Sequence, residues 1–547
     1  MASTSTRILT LAGLALALGA ASCGDDLKNA GPDAGAAVED TTALLREKVK
    51  TIVVIYAENR GFDNIYGLFP GANGIPGVNP SAVGAVNKQV DRDTAKTELA
   101  TLPRTWGGVA AGITQEESAN LANKPYDIKA TYGDKLAGNG MAAVTRDLVH
   151  RFFENQMQID GGRNDRFAAY SDAGGLVMGY YDGSQMAMWR IAQRYVLADN
   201  FYIGAFGGSF LNHQYLICAC APEVPNADTS PQKAQITVLS AVGGPNLDLT
   251  PGATPSAMDG GAAFTASFAI SPKNYFGDGT WRGINTMQPA YQPSGVAPAA
   301  SDTTKLYADP NGGTYLVPQT GKTIGDLLDG QGIAWKWYAG AFNNTLATAT
   351  TTHVFPPSAP GLVPNYQFHH HPFNYYAKFD PVSGAAARTA HFDDEAKLEA
   401  DIAAGTLPPV VFYKPEGDLN QHAGYASVEA GDRHIADLIT KLEASPQFAS
   451  MVVIVTYDEN GGFWDHAAPP RADLLGPGSR VPTIIVSPFA KAGTVDHTQY
   501  DTASILRLIN RRFDLAALPG ITARDNALVA AGGTAMGDLT NALDLTN

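Results

Sequence analysis

Cysteine and positive charge are both scarce in this 547-residue sequence. Three cysteines are present, and no Cys/His set at zinc-finger spacing accompanies them. Lys and Arg number 38 against 53 Asp and Glu, which gives a net charge of -15, and no stretch is dense in basic residues. Such a chain repels polyanions, so we expect no nucleic-acid partner.

The composition that remains is that of a large folded protein. Hydrophobic residues make up 45% of the chain and charged residues 17%, which excludes a disordered, collagen-like or coiled-coil protein. The length would suit about three or four average domains, but single α/β domains with insertions also reach it. We expect one large domain with elaborations.

The N-terminus has the pattern of an export signal. Residues 1–23 contain one early positive charge, Arg7, and an apolar run from Ile8 to about Leu18 that is too short to span a membrane. The run ends in Ala-Ala-Ser-Cys at Cys23, which resembles a bacterial lipoprotein cleavage box. We predict an exported, periplasmic or cell-surface protein whose membrane contact is a lipid on Cys23, with ordinary signal cleavage as the alternative. Residues 24–50 form a polar tether and lead-in.

The other two cysteines, Cys218 and Cys220, stand one residue apart in an apolar segment. In an oxidising compartment they would form a tight disulfide. Two small buried thiols are the interpretation that we favour here.

Continuous apolar runs rich in β-branched residues predict strands that are buried on both faces. The clearest runs cover residues 51–57, 451–457 and 481–486, and weaker ones cover 333–338 and 410–413. Helical periodicity over 425–442 and 500–513 alternates with these strands, and Asp501 or Thr502 is a suitable N-cap for the second helix. The pattern predicts an α/β fold, with a mostly parallel central sheet and helices on both faces.

The sheet-forming segments define the predicted organisation of the chain. Residues 51–515 contain them and form the predicted main domain. Within it, residues 222–309 are rich in Gly, Pro and Ala with little periodicity, which indicates a long irregular insertion. Residues 516–547 form a C-terminal extension that we expect to consist of loops and short helical turns.

Acidic and amide side chains follow two of the predicted strands. Glu58 and Asn59 come after the first strand, and Asp458 and Glu459 come after the strand at 451–457. Functional groups gather beyond the carboxyl ends of parallel strands, so these pairs can meet at one rim. Their oxygens suit a divalent ion such as Mg, Ca or Mn, with zinc a further candidate. The alternative is that each pair caps a helix or turn with no ion.

A serine and several histidines complete the candidate chemistry. Ser209 follows two glycines in AFGGSFLNH, where a hydroxyl is exposed at a loop-to-helix turn, either as a nucleophile or as a simple N-cap. Histidines cluster at 369–371, and His422 stands in NQHAGY. Charged imidazoles bind phosphate oxygens, and an imidazolium protonates a leaving group.

Three segments carry a resemblance to a known family. VIYAENRGFDNIYG (54–67), ADNFYIGAFGGSFLNHQYLI (198–217) and VTYDENGGFWDHAAPP (455–470) are similar to the signatures of the bacterial phosphoesterase family, which contains phospholipases C and secreted acid phosphatases. The resemblance implies an alkaline-phosphatase-like three-layer sandwich. GGSFLNHQ and HHHPFNYY resemble the acid phosphatase branch, although His371 stands where that branch often has Gln.

The resemblance also implies roles for individual residues. It makes Ser209 the nucleophile and a metal ligand, and the active-site histidines His150, His369, His370 and His422. It implies that a divalent metal is held by Ser209 with Glu58, Asn59, Asp458 and Glu459.

The activity that the resemblance implies is hydrolysis of small phosphomonoesters through a phosphoserine. Because charged imidazoles bind phosphate best below about pH 6.5, we expect an acid optimum. The alternative activity is that of a phospholipase C that cleaves phosphodiester head groups. A catalytically inert surface lipoprotein is a third possibility, which the intact set of candidate residues disfavours.

Overall fold

The computed structural model describes residues 41–225, 227, 236, 248–249, 252–265, 275–347 and 365–546. The predicted export signal with Cys23, the tether up to residue 40 and much of the insertion 222–309 lie outside the described residues. Within the described ranges, every helix is too short or too polar to cross a lipid bilayer.

Strands of very different lengths are present. Their bounds are β1 Thr51–Ala57, β2 Tyr126–Asp127, β3 Gly179–Tyr180, β4 Val196–Tyr202, β5 Asp248–Leu249, β6 Phe264–Thr265, β7 Trp335–Ala339, β8 Phe392–Asp394, β9 Val410–Lys414, β10 Met451–Tyr457, β11 Arg480–Val486, β12 Thr494–Asp496 and β13 Tyr500–Asp501. The main sheet has the spatial order β12-β4-β11-β10-β1-β9-β7-β8, with β13 also paired to β4. The strands β2 and β3 pair with each other, as do β5 and β6.

The sheet is mostly parallel, as predicted, and its centre is fully buried. Strand β1 lies between β10 and β9 and is parallel to both. Every residue of β1, β10 and β11 is buried, so both faces of the sheet are covered, which explains the unbroken apolar runs in these segments.

The prediction left the direction of one strand open and missed another strand. The run at 481–486 forms β11, which is buried as predicted and is antiparallel to β10 and to β4. An apolar run shows burial but not direction, so the sequence left the direction of this strand open within a mostly parallel sheet. Strand β4 was not predicted, because it carries Asp199 and Asn200. Asp199 is nonetheless buried, since its carboxylate accepts a hydrogen bond from the Asn73 N–H at 2.7 Å and contacts His497 at 2.9 Å.

The helices pack in two groups. Their bounds are α1 Thr42–Lys48, α2 Phe62–Tyr66, α3 Ile128–Tyr132, α4 Phe152–Ile159, α5 Ala187–Arg194, α6 Ser209–Cys218, α7 Ile324–Gly330, α8 Phe342–Ala347, α9 Ala385–His391, α10 Glu395–Ala404, α11 Val428–Ala444, α12 Thr502–Phe513 and α13 Pro519–Ala530. Helices α5 and α10 pack on α11, and helices α1 and α6 pack on α12. With the sheet, these groups make the predicted three-layer α/β arrangement.

Local capping explains where the long helices begin. The Ser427 hydroxyl accepts a hydrogen bond from the Ala430 N–H at the start of α11. Asp501 forms a capping box with Ser504 at the start of α12, so Asp501 is the N-cap of the predicted pair. Both predicted helices are confirmed, with starts two or three residues later than expected.

Two expectations were wrong. The C-terminal segment contains the twelve-residue helix α13 rather than short turns alone. Its Arg524 is fully buried and donates hydrogen bonds to Asp473 and Asp501, a tertiary contact that periodicity does not reveal. Cys218 and Cys220 form a disulfide rather than two thiols, with their sulfur atoms 2.16 Å apart.

Candidate active site

The parallel register of β1 and β10 brings the two acidic pairs together. Ala57 lies opposite Tyr457, so the residues that follow, Glu58 and Asp458, leave the sheet side by side. Glu58, Asp458 and Glu459 are all fully buried. The rim predicted from the ends of the strands therefore exists. The parallel pairing of β1 with β10 brings together Glu58 and Asp458, which are about 400 residues apart in the sequence.

Asn59 adopts a backbone conformation that fixes this rim. Its φ is 59°, in the left-handed region that Asn tolerates better than most residues. The Asn59 N–H donates to Asp458 Oδ1 at 3.1 Å. Opposite it, Gly461 has a φ of +58°, and a Cβ there would lie 2.5 Å from Asn59 O. Glycine is therefore required at 461 for the two strand ends to approach.

Ser209 is the first residue of α6, as the loop-to-helix turn predicted. Gly207 has a φ of +89°, and a Cβ on it would lie 2.4 Å from the Phe152 backbone nitrogen, so glycine is required there as well. The Ser209 Oγ lies 2.8 Å from Glu58 Oε1 and 2.8 Å from Glu459 Oε1. A hydroxyl has one proton to donate, so at most one of these contacts is a hydrogen bond from neutral serine to a carboxylate.

Ser209 opens onto a cavity of about 1040 Å³. Three predicted active-site histidines, His150, His369 and His422, also line this cavity. His150 Nε2 lies 3.6 Å from Glu459 Oε1 and 3.5 Å from Asn59 Nδ2. The structure thus brings these histidines, the serine and the rim together.

The fourth predicted histidine, His370, is placed differently. It is not among the described residues that line the cavity. Its Nε2 lies 3.0 Å from Glu58 Oε1, and its ring stacks on His213 with centroids 4.7 Å apart. His370 thus contacts Glu58 without lining the cavity.

The carboxylates of the rim perturb one another. Burial raises the pKa of Asp458 to about 7, and the negative charge of Glu58 adds to this effect. Burial, together with Asp458 and Glu58, raises the pKa of Glu459 well above its usual range. Burial would also raise the pKa of Glu58, but His370 and Lys414 hold it well below its usual range. The rim is therefore richer in negative charge than its protein surroundings offset.

Burial dominates the histidine side of the site. It lowers the pKa of His370 to about 4, lowers that of His369 well below its usual range, and lowers that of His422. The sequence argument for an acid optimum took these imidazoles to be charged below about pH 6.5. In the protein alone, these three become charged only in more acidic solution.

Two residues of the site were missed by sequence reasoning. Lys414, the last residue of β9, donates a hydrogen bond to Glu58 Oε2. His213 lies one helical turn after Ser209, and its Nδ1 lies 2.8 Å from Ser209 O. Both had a signal in the sequence, because Lys414 ends an apolar strand and His213 stands within the serine motif.

The donor set fits a divalent metal ion. Asn59 Oδ1, Asp458 Oδ2 and Glu459 Oε2 are buried and have no hydrogen-bond partner among the described residues. Glu58, Asp458 and Glu459 each place a carboxylate oxygen within 4.8 Å of the others. Buried polar atoms without partners are costly, and hard oxygen ligands with excess negative charge are what Mg²⁺, Ca²⁺ or Mn²⁺ would offset.

A second group of buried charges, which we call the brace, lies next to the rim. It consists of Asp63, Asp465, His466 and Arg480. The Arg480 guanidinium contacts Asp63 at 3.1 Å and Asp465 at 3.1 Å, and His466 Nδ1 contacts Asp63 Oδ2 at 2.7 Å. These contacts tie the segment after β10 to α2 and β11, and so hold the rim in place.

Comparison with known proteins decides the family. The profile of the Phosphoesterase family matches residues 49–516, most of the chain. The chain belongs to the Phosphoesterase family. The resemblance drawn from the three motifs is thereby confirmed, and the chain is a phosphoric ester hydrolase.

Relatives within the Phosphoesterase family include phospholipases C. Phospholipase C B of Mycobacterium tuberculosis is 23% identical over 530 residues, which cover 90% of this chain and 77% of the relative. Non-hemolytic phospholipase C of Pseudomonas aeruginosa is 25% identical over 249 residues, which cover 40% of this chain and 34% of the relative.

Solved structures show a weaker likeness. A protein of the alkaline phosphatase superfamily from Vibrio parahaemolyticus aligns over 64% of this chain and 65% of its own, at 10% identity and a TM-score of 0.29. The α/β arrangement described above therefore stands on the strands and helices of this chain itself.

Proposed function

We propose that this phosphoesterase hydrolyses phosphomonoesters with Ser209 as nucleophile and one divalent cation held by Glu58, Asn59, Ser209, Asp458 and Glu459. The observation that carries the proposal is the position of Ser209 Oγ, 2.8 Å from a carboxylate oxygen of each strand end and on the wall of the cavity. A hydroxyl between two carboxylates is placed for deprotonation and attack.

The covalent steps follow from this geometry. Ser209 Oγ forms a bond to phosphorus while the bond to the leaving oxygen breaks, and the serine proton passes to a carboxylate that the hydroxyl contacts. The leaving oxygen takes a proton from a histidine of the cavity wall. Water then attacks the phosphorus of the phosphoserine and gives a proton to the histidine that lost one, while the bond to Ser209 Oγ breaks. Ser209 Oγ takes its proton back from the carboxylate, and phosphate leaves. A bound divalent cation supplies Lewis-acid polarisation of the phosphoryl group and lowers the pKa of the serine hydroxyl.

The chain's own residues also meet the charge that develops on the phosphoryl oxygens. Asn59 Nδ2 lies 3.5 Å from His150 Nε2, and the rings of His150 and His422, both on the cavity wall, have centroids 5.7 Å apart. We assign these three side chains as the donors to the phosphoryl oxygens. Each such donor contributes about 2.7–4 kcal/mol to transition-state stabilisation in comparable sites.

The cavity lining supports a monoester over a choline diester. Recognition of a quaternary ammonium uses a cage of aromatic faces, whereas the aromatic residues that line this cavity within the described ranges are Phe210 and Tyr425. Tyr425 already stacks on His422, with ring centroids 4.3 Å apart. Arg146 and Arg151 line the cavity together with Asp147 and Asp172, and Arg146 pairs with Asp172 at 3.3 Å. A phosphomonoester dianion offers the other arginine, Arg151, one more negative charge than a diester does.

A phospholipase C activity is the second candidate. It is favoured by the phospholipases C among the relatives, one of which aligns over 90% of this chain. It predicts that phosphatidylcholine is cleaved with the same serine, Ser209, as nucleophile.

The deciding experiment compares substrates on one purified protein. Hydrolysis of p-nitrophenyl phosphate, bis-(p-nitrophenyl) phosphate and phosphatidylcholine is measured from pH 5 to 9, for residues 24–547, for Ser209→Ala and for a chelated sample. We expect the monoester to be preferred, with an acid optimum and a loss of at least 1000-fold in Ser209→Ala. Ser184→Ala, an exposed serine outside the cavity lining, is the matched control.

Other outcomes separate the alternatives. Preference for phosphatidylcholine would assign the phospholipase C activity, and a rate that rises steadily from pH 5 to 9 would contradict the acid optimum. Full activity in Ser209→Ala would remove the serine mechanism.

Export with a lipid on Cys23 also remains a proposal. It is supported by the pattern of residues 1–23. Mass spectrometry of the mature N-terminus tests it, since an unmodified N-terminus beyond Cys23 would contradict it.

A further inference from the structure

Lys414 is a buried cation at the carboxyl end of a strand of the main sheet. It ends strand β9, which is parallel to β1 with Tyr413 opposite Ile55. This register places Lys414 beside the end of β1, where Glu58 follows. Its side chain is 2% exposed, although a lysine is almost never fully buried unless it is paired.

The ammonium of Lys414 contacts two carboxylates of the rim, those of Glu58 and Asp458. Its Nζ donates hydrogen bonds to Glu58 Oε2 and to Ala57 O, the latter at 3.3 Å. Asp458 Oδ2 lies 3.8 Å from the same nitrogen. Glu58 therefore divides its oxygens, with Oε1 facing Ser209 Oγ and Oε2 facing the ammonium.

The charges of the rim can be summed. Glu58, Asp458 and Glu459 bring three negative charges when ionised, and Lys414 brings one positive charge. One divalent cation then makes the buried group neutral, while a second would leave it with an excess of two positive charges. In a buried site, where charges interact strongly, that difference favours a single ion.

We propose that Lys414 is a built-in second cation, a positioning residue that limits the carboxylate rim to one divalent metal ion. Phosphate-transferring sites often use a pair of metal ions about 3.5–4 Å apart. Here a fixed ammonium neutralises one side of the shared carboxylate Glu58, on the side away from Ser209. This proposal rests on the metal site of the proposed function.

The test is the Mn²⁺ stoichiometry of the folded protein. Isothermal titration with MnCl₂ and elemental analysis after gel filtration give the number of bound ions, and electron paramagnetic resonance detects a coupled pair. The samples are the unmodified protein, Lys414→Ala and Lys414→Arg. Lys336→Ala is the matched control, because Lys336 lies on the neighbouring strand β7 and pairs with Asp393 at 2.5 Å.

We expect one equivalent of Mn²⁺ in the unmodified protein, in Lys414→Arg and in Lys336→Ala. In Lys414→Ala, Glu58 Oε2 and the space beside it become free, so we expect a second equivalent and a spin-coupled signal. If Lys414→Ala does not fold, Lys414→Met replaces it, and loss of the charge alone is expected to lower the Mn²⁺ dissociation constant at least tenfold.

The outcomes distinguish this proposal from the one on which it rests. Two equivalents in the unmodified protein, or an unchanged stoichiometry and affinity in the Lys414 variants that remove the charge, would overturn the role of Lys414 and leave the metal site standing. No bound Mn²⁺ in the unmodified protein would overturn both.

Discussion

The rim and the brace are two neighbouring groups of buried charge that differ in whether their carboxylate oxygens have partners. In the brace, both oxygens of Asp63 and both oxygens of Asp465 contact Arg480, His466 or a backbone N–H. In the rim, Asp458 Oδ2 and Glu459 Oε2 have no hydrogen-bond partner among the described residues. Similar side chains therefore serve different ends: the group satisfied from within holds the fold, and the group left unsatisfied is ready to bind.

The largest expected effect breaks the brace. Replacing Arg480 by Gln leaves Asp63 and Asp465 buried with their main counter-charge removed, so the free energy of unfolding should fall by about 3–5 kcal/mol. Urea unfolding at pH 7 measures this change. The rate per folded molecule should fall less than tenfold, and a large loss of rate at unchanged stability would show that the brace takes part in the chemistry.

Removing a charge from the rim should lower the rate strongly and leave the stability of the metal-free protein unharmed, which is the opposite of the result expected for the brace. In Glu459→Gln, a contact to Ser209 and a metal ligand are altered, so kcat/KM should fall about 100- to 1000-fold. Because one of three mutually repelling carboxylates is neutralised, the unfolding midpoint of the metal-free protein should stay the same or rise. Asp465→Asn, in the same segment, is the matched control. Its unfolding midpoint should fall by more than that of Glu459→Gln, and its kcat/KM should fall by less. A lower unfolding midpoint in metal-free Glu459→Gln would contradict the conclusion that the brace, and not the rim, stabilises the fold.

The smallest effect concerns pH. Burial lowers the pKa of His466, but the carboxylate of Asp63 outweighs this and raises it above its usual value. The protonated pair therefore stabilises the fold fully below about pH 6.5, the unfolded value, and its contribution is lost as pH rises through the folded value. The difference in unfolding free energy between the unmodified protein and His466→Asn should be about 1.5–3 kcal/mol at pH 6 and should shrink towards pH 9. Urea unfolding across this range measures it, and a difference that grows with pH would contradict the assignment.

The sequence predicts those parts of the molecule that depend on local pattern. The runs that form β1 and β10 reveal burial on both faces, and the residues directly after them reveal a shared rim once the sheet is taken as parallel. The two glycines before Ser209 predict its position at a loop-to-helix turn. These features need no knowledge of distant partners.

The rest depends on partners that a single sequence does not identify. Strand β4 keeps Asp199 buried because a backbone N–H and His497 come to it from elsewhere in the chain. Strand β11 is antiparallel to both of its neighbours, β10 and β4, a direction that its apolar run does not encode. Lys414 is a buried ammonium only because Glu58 faces it from the neighbouring strand. Its position at the end of an apolar run marks the residue, but that position does not identify the carboxylate that pairs with it.

The pairing of β1 with β9 and β10 has a consequence for how the protein is made. The first strand to be synthesised finds both of its neighbours only after more than 350 further residues have followed. Until then TIVVIYA is an unpaired, β-branched segment of the kind that self-associates. The nascent chain must keep this segment away from its copies until its final third has emerged, and a product that ends before β10 lacks Asp458 and Glu459 and so has an incomplete rim.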